Sequence, residues 1–572
     1  MPKPDLILLH APSIYDFRDN ITLYGPISDG VPSTPIFELF PIGFISIAEY
    51  LERNGFHVRI VNLAVKMLRD PAFSVERLIE QLDPTAFGID LHWLVHSHGS
   101  LEVAKIIKKY HPNTPTILGG LSSTYFHREI MADFPYVDYV MRGDSTEEPL
   151  RRLLQCIEQQ RTPNEVPNLT WRDETGKTRI NHLTWVPETL DDVATDYANI
   201  INLVKKHRDV TGNLPFENWL NYPITALLTC KGCIYNCVIC GGSCSAYKKF
   251  YGRSKPAFKS PEKLVEEMKT IEQYVKAPIF LLNDIRLGGK NHAEQILRAI
   301  RMEGVDNPVI FELFDAASSK FIELVSNSCS SYSLEISPES HDEVVRGLHG
   351  RPFTNRGLEK TLQSALKYNC QKLDVFFIIG LPRQTPQSVI DSVEYGRTLL
   401  EKYGKDGRLH PFILPNTPFL DPGSLAFEDP ERYGYERFFT SLSEHREALT
   451  NPSWIHFLNY QTKWMKRSEI MEVTYESLHL LNEIKREYGL IDPAKAEKFA
   501  ESIQLAGTVT RLIDQIVTST SDKEKRRIQL QRVKEEVDAI NRSSTYLKEG
   551  LGFPFEAKIK KMAVIKSLLG KF

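Results

Sequence analysis

Four of the chain's eight cysteines, Cys230, Cys233, Cys237 and Cys240, fall within eleven residues, with Cys244 just beyond. In a reducing compartment so tight a group points to metal or redox chemistry rather than a disulfide scaffold. The last three follow the spacing Cys-x-x-x-Cys-x-x-Cys, in Cys230-Lys-Gly-Cys233-Ile-Tyr-Asn-Cys237-Val-Ile-Cys240-Gly-Gly. A structural zinc site would recruit Cys230 or Cys244 as a fourth ligand. Positions 233, 237 and 240 would also share one face of a helix as inert core. Glycines at 232, 241 and 242 oppose a regular helix there. Cys156, Cys329 and Cys370 stand alone and suit small buried hydrophobes.

The cysteine loop follows a strand-like run, ITALLT, that begins at Ile224. After it strand and helix patterns alternate: SPEKLVEEMKTIEQY, PIFLLND, HAEQILRAIRME, PVIFELF, SSYSLEIS, GLEKTLQSALKY, LDVFFIIG, then a helix from Pro386. Repeated βα units predict a full or partial barrel over 216–425, with its reactive face at the strand C-termini, where the cysteines stand. Residues 1–160 alternate in the same way, from DLILLHA to VDYVMRGD and EEPLRRLLQCIEQQ. Five such units predict a doubly wound, flavodoxin-like parallel sheet that binds ligands at the carboxyl ends of its strands. Residues 161–215 suit a linker with a small hairpin around Glu174-Thr175-Gly176. From 426 to 572 long helical patterns dominate and predict a helical C-terminal domain. The expected fold class is α/β.

With 572 residues, 42% hydrophobic and 25% charged, the chain has the makeup of an ordinary globular protein. A net charge of −3 supplies no basic footprint, so no nucleic-acid partner is expected. No run approaches the roughly 20 apolar residues of a membrane span. The burst LILL, ended by His10 and Pro12, suits a buried strand better than a secretory signal, so a cytoplasmic location is expected. The tail FEAKIKKMAVIKSLLGKF is basic, with Ile559, Met562, Ile565 and Leu569 at helical spacing. It suits a packed terminal helix, or one making peripheral contact with a membrane.

The cysteine spacing, following a barrel strand, resembles the radical S-adenosylmethionine (SAM) superfamily. The resemblance implies a 4Fe–4S cluster held by Cys233, Cys237 and Cys240, with the fourth iron left for SAM. An electron from a donor such as flavodoxin or ferredoxin would then yield a 5′-deoxyadenosyl radical. The superfamily often has an aromatic residue before the last cysteine; here Ile239 stands there, with Tyr235 earlier. Other SAM contacts are implied in order: Asn283 and Asp284 near the methionine amino end, Glu339 with Ser340 near the ribose, and Gly380 near the adenine.

A flavodoxin-like domain ahead of such a barrel resembles the cobalamin-binding class of that superfamily. Ile42-Gly43 opens the first helix, Gly119-Gly120 follows the fourth strand, and Gly143-Asp144-Ser-Thr-Glu147-Glu148 resembles a Gly-Glu-x-Glu stretch. The resemblance implies cobalamin contacts at Gly43, Gly119, Gly120, Thr124, Gly143 and Glu147. Most members carry Gly-Pro-His-Pro-Thr where this chain has Gly120-Leu121-Ser122-Ser123-Thr124. Asp90-Leu91-His92 invites comparison with Asp-x-His-x-x-Gly, but Val95 takes the glycine position and the segment follows the third strand, so His92 is expected to be a loop histidine. LPNTPFLDPGSLAFEDPERYGY resembles a segment of an uncharacterised subgroup. The implied activity is cobalamin-dependent methyl transfer to an unactivated carbon. Radical cyclisation, rearrangement or oxidation, and cofactor binding without turnover, remain alternatives, and no substrate is legible.

Overall fold

The computed structural model describes residues 3–28, 30–351, 353–416, 419–542 and 551–568. Its first sheet has seven strands. Leu6–His10 lies between Val58–Asn62 and Ala86–Asp90, followed outward by Thr116–Gly119 and Tyr139–Met141, all parallel. The first strand is wholly buried, and its side chains divide between two cores. Leu6 and Leu8 pack with Phe44, Ala48, Leu51, Leu150 and Leu153. Ile7 and Leu9 belong to a core with Leu101, Ala104 and Ile107. Alternation along a strand explains the division, because successive residues point to opposite faces and helices cover both.

The hairpin expected inside a linker belongs to this sheet. Leu169–Arg172 pairs antiparallel with Tyr139–Met141, and Thr178–Ile180 pairs with it in turn. Without the hairpin, Tyr139–Met141 would present an open edge of unpaired backbone groups.

The second sheet holds six parallel strands in sequence order: Thr225–Leu228, Ile279–Leu282, Val309–Leu313, Tyr332–Glu339, Leu373–Ile379 and Leu409–Pro415. It is a partial barrel. The sixth strand, LHPFILP, goes unassigned in the sequence because prolines at 411 and 415 obscure it. As an edge strand it tolerates the missing N–H groups.

The C-terminal region is mostly helical. Arg467–Glu487 packs against Pro493–Ser519, the helix Pro386–Tyr403 and the last barrel strand. It also carries a short antiparallel pair, Tyr435–Arg437 with Tyr460–Thr462. The terminal helix Lys561–Leu568 packs against Tyr197–His207 and Pro261–Tyr274. Its inward residues are Ala563 and Val564, while Met562 is 68% and Ile565 45% exposed. The expected stripe is therefore not the packed face, and Leu569 lies outside the described residues. Among the described residues no helix is long and apolar enough to cross a membrane.

Candidate functional site

The cysteine loop leaves the first barrel strand and is pinned from several sides. Val238 N–H donates to His349 O at 2.8 Å, Gly241 N–H to the Asp421 carboxylate at 3.0 Å, and Ser245 N–H to Asn236 Oδ1 at 2.8 Å. Two backbone N–H groups point at sulfur: Tyr235 N–H to Cys233 Sγ at 3.4 Å and Gly242 N–H to Cys240 Sγ at 3.3 Å. Burial pushes all three thiols up, Cys237 to about 11, and neighbouring thiols push the same way. A thiol raised this far gives up its proton readily only to a metal.

Among the described residues no three His, Cys, Asp or Glu side chains converge as they would around one metal ion. Three thiols from one loop, backbone N–H groups on two of the sulfurs and a cation nearby suit the donor set of an iron–sulfur cluster. Cys230 pairs into a short strand with Phe258, its thiol raised by burial to about 12, and Cys244 opens the helix Cys244–Phe250.

The cation is Arg351, which no local motif marks. Its guanidinium lies 4.5 Å from the Phe314 ring centre and 5.6 Å from that of Tyr235, and donates to Phe314 O at 2.8 Å. Against the cost of burial, Cys237, Glu339, Cys240 and Cys233 hold it charged. The turn that delivers it needs a glycine. Gly350 has φ +109°, and a Cβ there would stand 2.9 Å from Asn236 O and 3.1 Å from Cys237 Cα.

Glu339 approaches Arg351 at 3.7 Å, with its second carboxylate oxygen buried and without a hydrogen-bond partner. Burial lifts this carboxyl to about 7, against the pull of Arg351. Glu339 (φ 67°) and Asn283 (φ 72°) both hold left-handed backbone at strand ends, a strain that concentrates at functional sites. Asn283 donates its N–H to Glu312 at 2.6 Å and its side-chain amide to Cys230 O at 3.1 Å.

Two of the residues expected to contact SAM are used otherwise. Asp284 caps the turn Ile285–Gly288, holds Arg286 at 2.6 Å and accepts Phe314 N–H at 2.9 Å. Its carboxylate is occupied by the fold. Gly380 (φ +101°) packs beneath the C-terminal region: a Cβ would lie 2.5 Å from the Tyr460 hydroxyl, and Tyr435 donates to Gly380 O at 2.9 Å.

A cavity of about 1980 Å³ opens between the first sheet and the barrel. Gly43, Gly119, Gly120, Gly143 and Glu147 line one wall; Cys230, Lys231, Asn283, Glu312 and Glu335 line the other. A Cβ at Gly43 or Gly119 would meet nothing within 4 Å, so bare backbone faces open space. Such a cradle, at the carboxyl ends of a doubly wound sheet, fits a large flat cofactor. His92 also lines the cavity, and burial lowers its ring below the usual histidine range. Thr124 does not line it. Its hydroxyl donates to Gly120 O at 2.8 Å and accepts Gly143 N–H at 3.0 Å, tying two glycine loops together.

Residues 33–153 match the family of the B12 binding domain. Over 93% of this chain and 99% of the other, the structure resembles the radical SAM methyltransferase TsrM from Kitasatospora setae with cobalamin and a [4Fe-4S] cluster bound, at TM-score 0.57 and 14% identity. It also resembles the cobalamin-dependent SAM radical enzyme OxsB with aqua-cobalamin and SAM bound, at TM-score 0.52 and 13% identity, over 100% of this chain and 84% of that one. The chain has the fold of a cobalamin-dependent radical SAM enzyme. In sequence it is 23% identical to an uncharacterized methyltransferase, PH0819, of Pyrococcus horikoshii, over 63% of this chain and 73% of that protein. It is 25% identical to the hopanoid C-3 methylase of Methylococcus capsulatus, over 48% of each chain.

The domain that matches the B12-binding family is locked to the barrel beside the glycine loop. Arg253 grips Asp144 at 2.5 and 3.0 Å with both groups buried, and also donates to Pro187 O at 2.8 Å. Lys231 reaches Glu147 at 3.4 Å, and Ser46 donates to the same carboxylate oxygen at 2.9 Å. Arg253, Lys231 and Arg351 carry no motif of their own. A buried arginine matters through its partners, and those lie tens of residues away or more.

Proposed function

We propose that this chain is a cobalamin-dependent radical SAM methyltransferase acting on an unactivated carbon. The observation that carries the reading is a cavity walled on one side by the glycine turns of the B12-binding domain and on the other by the barrel beside its cysteine loop. Cys233, Cys237 and Cys240 would hold a 4Fe–4S cluster, with Arg351 balancing its charge. Asn283 and Glu339 would receive the polar groups of SAM. Gly43, Gly119, Gly120, Gly143 and Glu147 would admit and orient cobalamin, while Thr124 and Asp284 position the loops around them. When bound, these groups supply a 5′-deoxyadenosyl radical and a transferable methyl group. The protein's own work is to hold both within reach of one substrate and to keep water away. The electron would come from an external donor such as a flavodoxin or ferredoxin.

The test is anaerobic reconstitution followed by assay of iron, sulfide, corrin and SAM products. The expected result is about four irons per chain, one corrin, and 5′-deoxyadenosine formed on dithionite reduction. With substrate, methylated product, S-adenosylhomocysteine and 5′-deoxyadenosine should appear together. A colourless zinc protein would end the reading. Deoxyadenosine formed with substrate but without methyl transfer would sink the methyltransferase version alone.

A further inference from the structure

Three carboxylates stand side by side on adjacent barrel strands. Register pairs Glu312 with Glu335, Glu335 with Asp374, and Asp374 with His410. Neighbouring strands lie only about 4.8 Å apart, and like charges directly opposite one another destabilise a sheet. The surroundings are mostly apolar: Leu228, Phe280, Leu282 and Phe376 line the same cavity. Two of the three carboxylates are answered within the protein. Glu312 accepts Asn283 N–H at 2.6 Å, and Asp374 accepts the Lys372 ammonium at 2.8 Å.

Glu335 is not answered. It lies partly exposed on the cavity wall and has no hydrogen bond or ion pair among the described residues. One oxygen of Asp374 beside it is likewise buried without a partner. Burial and the charges of Asp374 and Glu312 push the Glu335 carboxyl well above the usual range. As an anion it is disfavoured there unless a ligand supplies a donor and a counter-charge.

The basic groups nearby are already engaged. Lys372 is paired to Asp374 and lies 4.8 Å from the Phe553 ring centre; Lys485 lies 4.0 Å from that of Phe412. The group left without a partner is therefore a carboxyl, and it faces the open volume.

We propose that Glu335, flanked by Glu312 and Asp374, anchors a protonated amine carried on an otherwise apolar substrate. This rests on the reading of the cavity as the reaction chamber and deepens it by naming a substrate class. The ammonium would donate to Glu335, and the apolar body would lie toward Leu228, Leu282 and Phe376.

Three probes of one shape test it on the reconstituted full-length protein: phenethylamine, phenethyl alcohol and hydrocinnamate, with binding followed by ligand-observed NMR titration. The amine should bind at least about tenfold tighter than the alcohol, the scale of a charge-assisted hydrogen bond in a dry site. Glu335→Gln should abolish that preference and leave thermal stability equal or higher, because it removes a carboxyl whose ionisation the neighbouring Asp374 and Glu312 oppose. Glu312→Gln should weaken the preference less. An amine that binds no better than the alcohol, or not at all, overturns the proposal. So does tighter binding of the carboxylate, or a preference unchanged in Glu335→Gln. SAM cleavage is measured on the same preparation. Cleavage without amine preference removes this inference alone, and amine preference without cleavage keeps the anchor while removing the radical reading.

Discussion

The two walls of the central cavity are built by opposite means. The B12-binding wall offers backbone: Gly43 and Gly119 face space that no neighbour fills. The barrel wall offers side chains, among them Lys231, Asn283, Glu312 and Glu335, and the cysteine loop follows its first strand. The first wall is built by a parallel sheet whose rigid strands bring turns from positions 43, 119 and 143 to one edge. The second depends on a single loop held by distant contacts, among them Gly350 and Asp421. A surface made of absent side chains needs a stiff frame, whereas a ligand loop needs clamps. The Arg253–Asp144 ion pair joins the two, and a buried pair of this kind fixes their spacing at the cost of desolvating both charges.

The contrast is broken most severely at the thiols. Cys233→Ala, Cys237→Ala and Cys240→Ala should each lose most of the reconstituted iron and all SAM cleavage, and keep corrin binding close to wild type. Cys230→Ala and Cys244→Ala should keep the iron. Iron and corrin analysis of the five variants decides the matter. Loss of iron in Cys244→Ala with retention in Cys240→Ala would reassign the ligands. The opposite break is Gly119→Val. Its added carbons enter open volume, so the melting temperature should hardly move, while corrin affinity falls about tenfold or more through overlap with the cofactor. Iron content should be unchanged. Equal corrin affinity in this variant would mean that the glycine turn is only a turn.

How far these walls were legible in the sequence follows from the same contrast. The thiols share one short loop and the glycines end apolar strands, so both stand out as candidates in local pattern alone. Chain order and alternation also pointed to the sheet and the barrel. What failed locally was direction. Asp284 and Thr124 occupy the right loops, yet their side chains turn into the protein and satisfy backbone groups, which no one-dimensional pattern records. Gly380 is a glycine because Tyr460 presses against it from some 80 residues away. Arg351 and Gly350 matter only through packing against the cysteine loop. The row Glu312, Glu335, Asp374 exists only in strand register, since each residue alone resembles an ordinary polar position in its strand.

That row makes the barrel wall pH-sensitive in a way the glycine turns, with no side chains to titrate, are not. Burial, opposed by the Asn283 N–H and Arg351, lifts the Glu312 carboxyl to about 7 from an ordinary 4.5. Between those values the folded state keeps a proton that the unfolded state has released. Stability contributed by this group is therefore fully present below about 4.5 and is lost as pH rises toward 7. Other titrating groups act in the same window, several of them histidines held neutral by burial, which act with the opposite sign. The clean quantity is the difference between wild type and Glu312→Gln in cofactor-free protein, followed by denaturant unfolding from pH 4.5 to 8. The variant should gain on wild type as pH rises, by no more than about 3.5 kcal/mol across the window, since each tenfold change in proton affinity between the folded and unfolded states is worth about 1.4 kcal/mol. The gain should level off above pH 7. The same comparison made with Gly119→Val should stay flat across the range. A flat profile for Glu312→Gln as well would mean that water reaches this carboxylate freely in the folded protein. The barrel wall would then be as wet as its surface, and the dry chamber that radical chemistry requires would have to lie elsewhere.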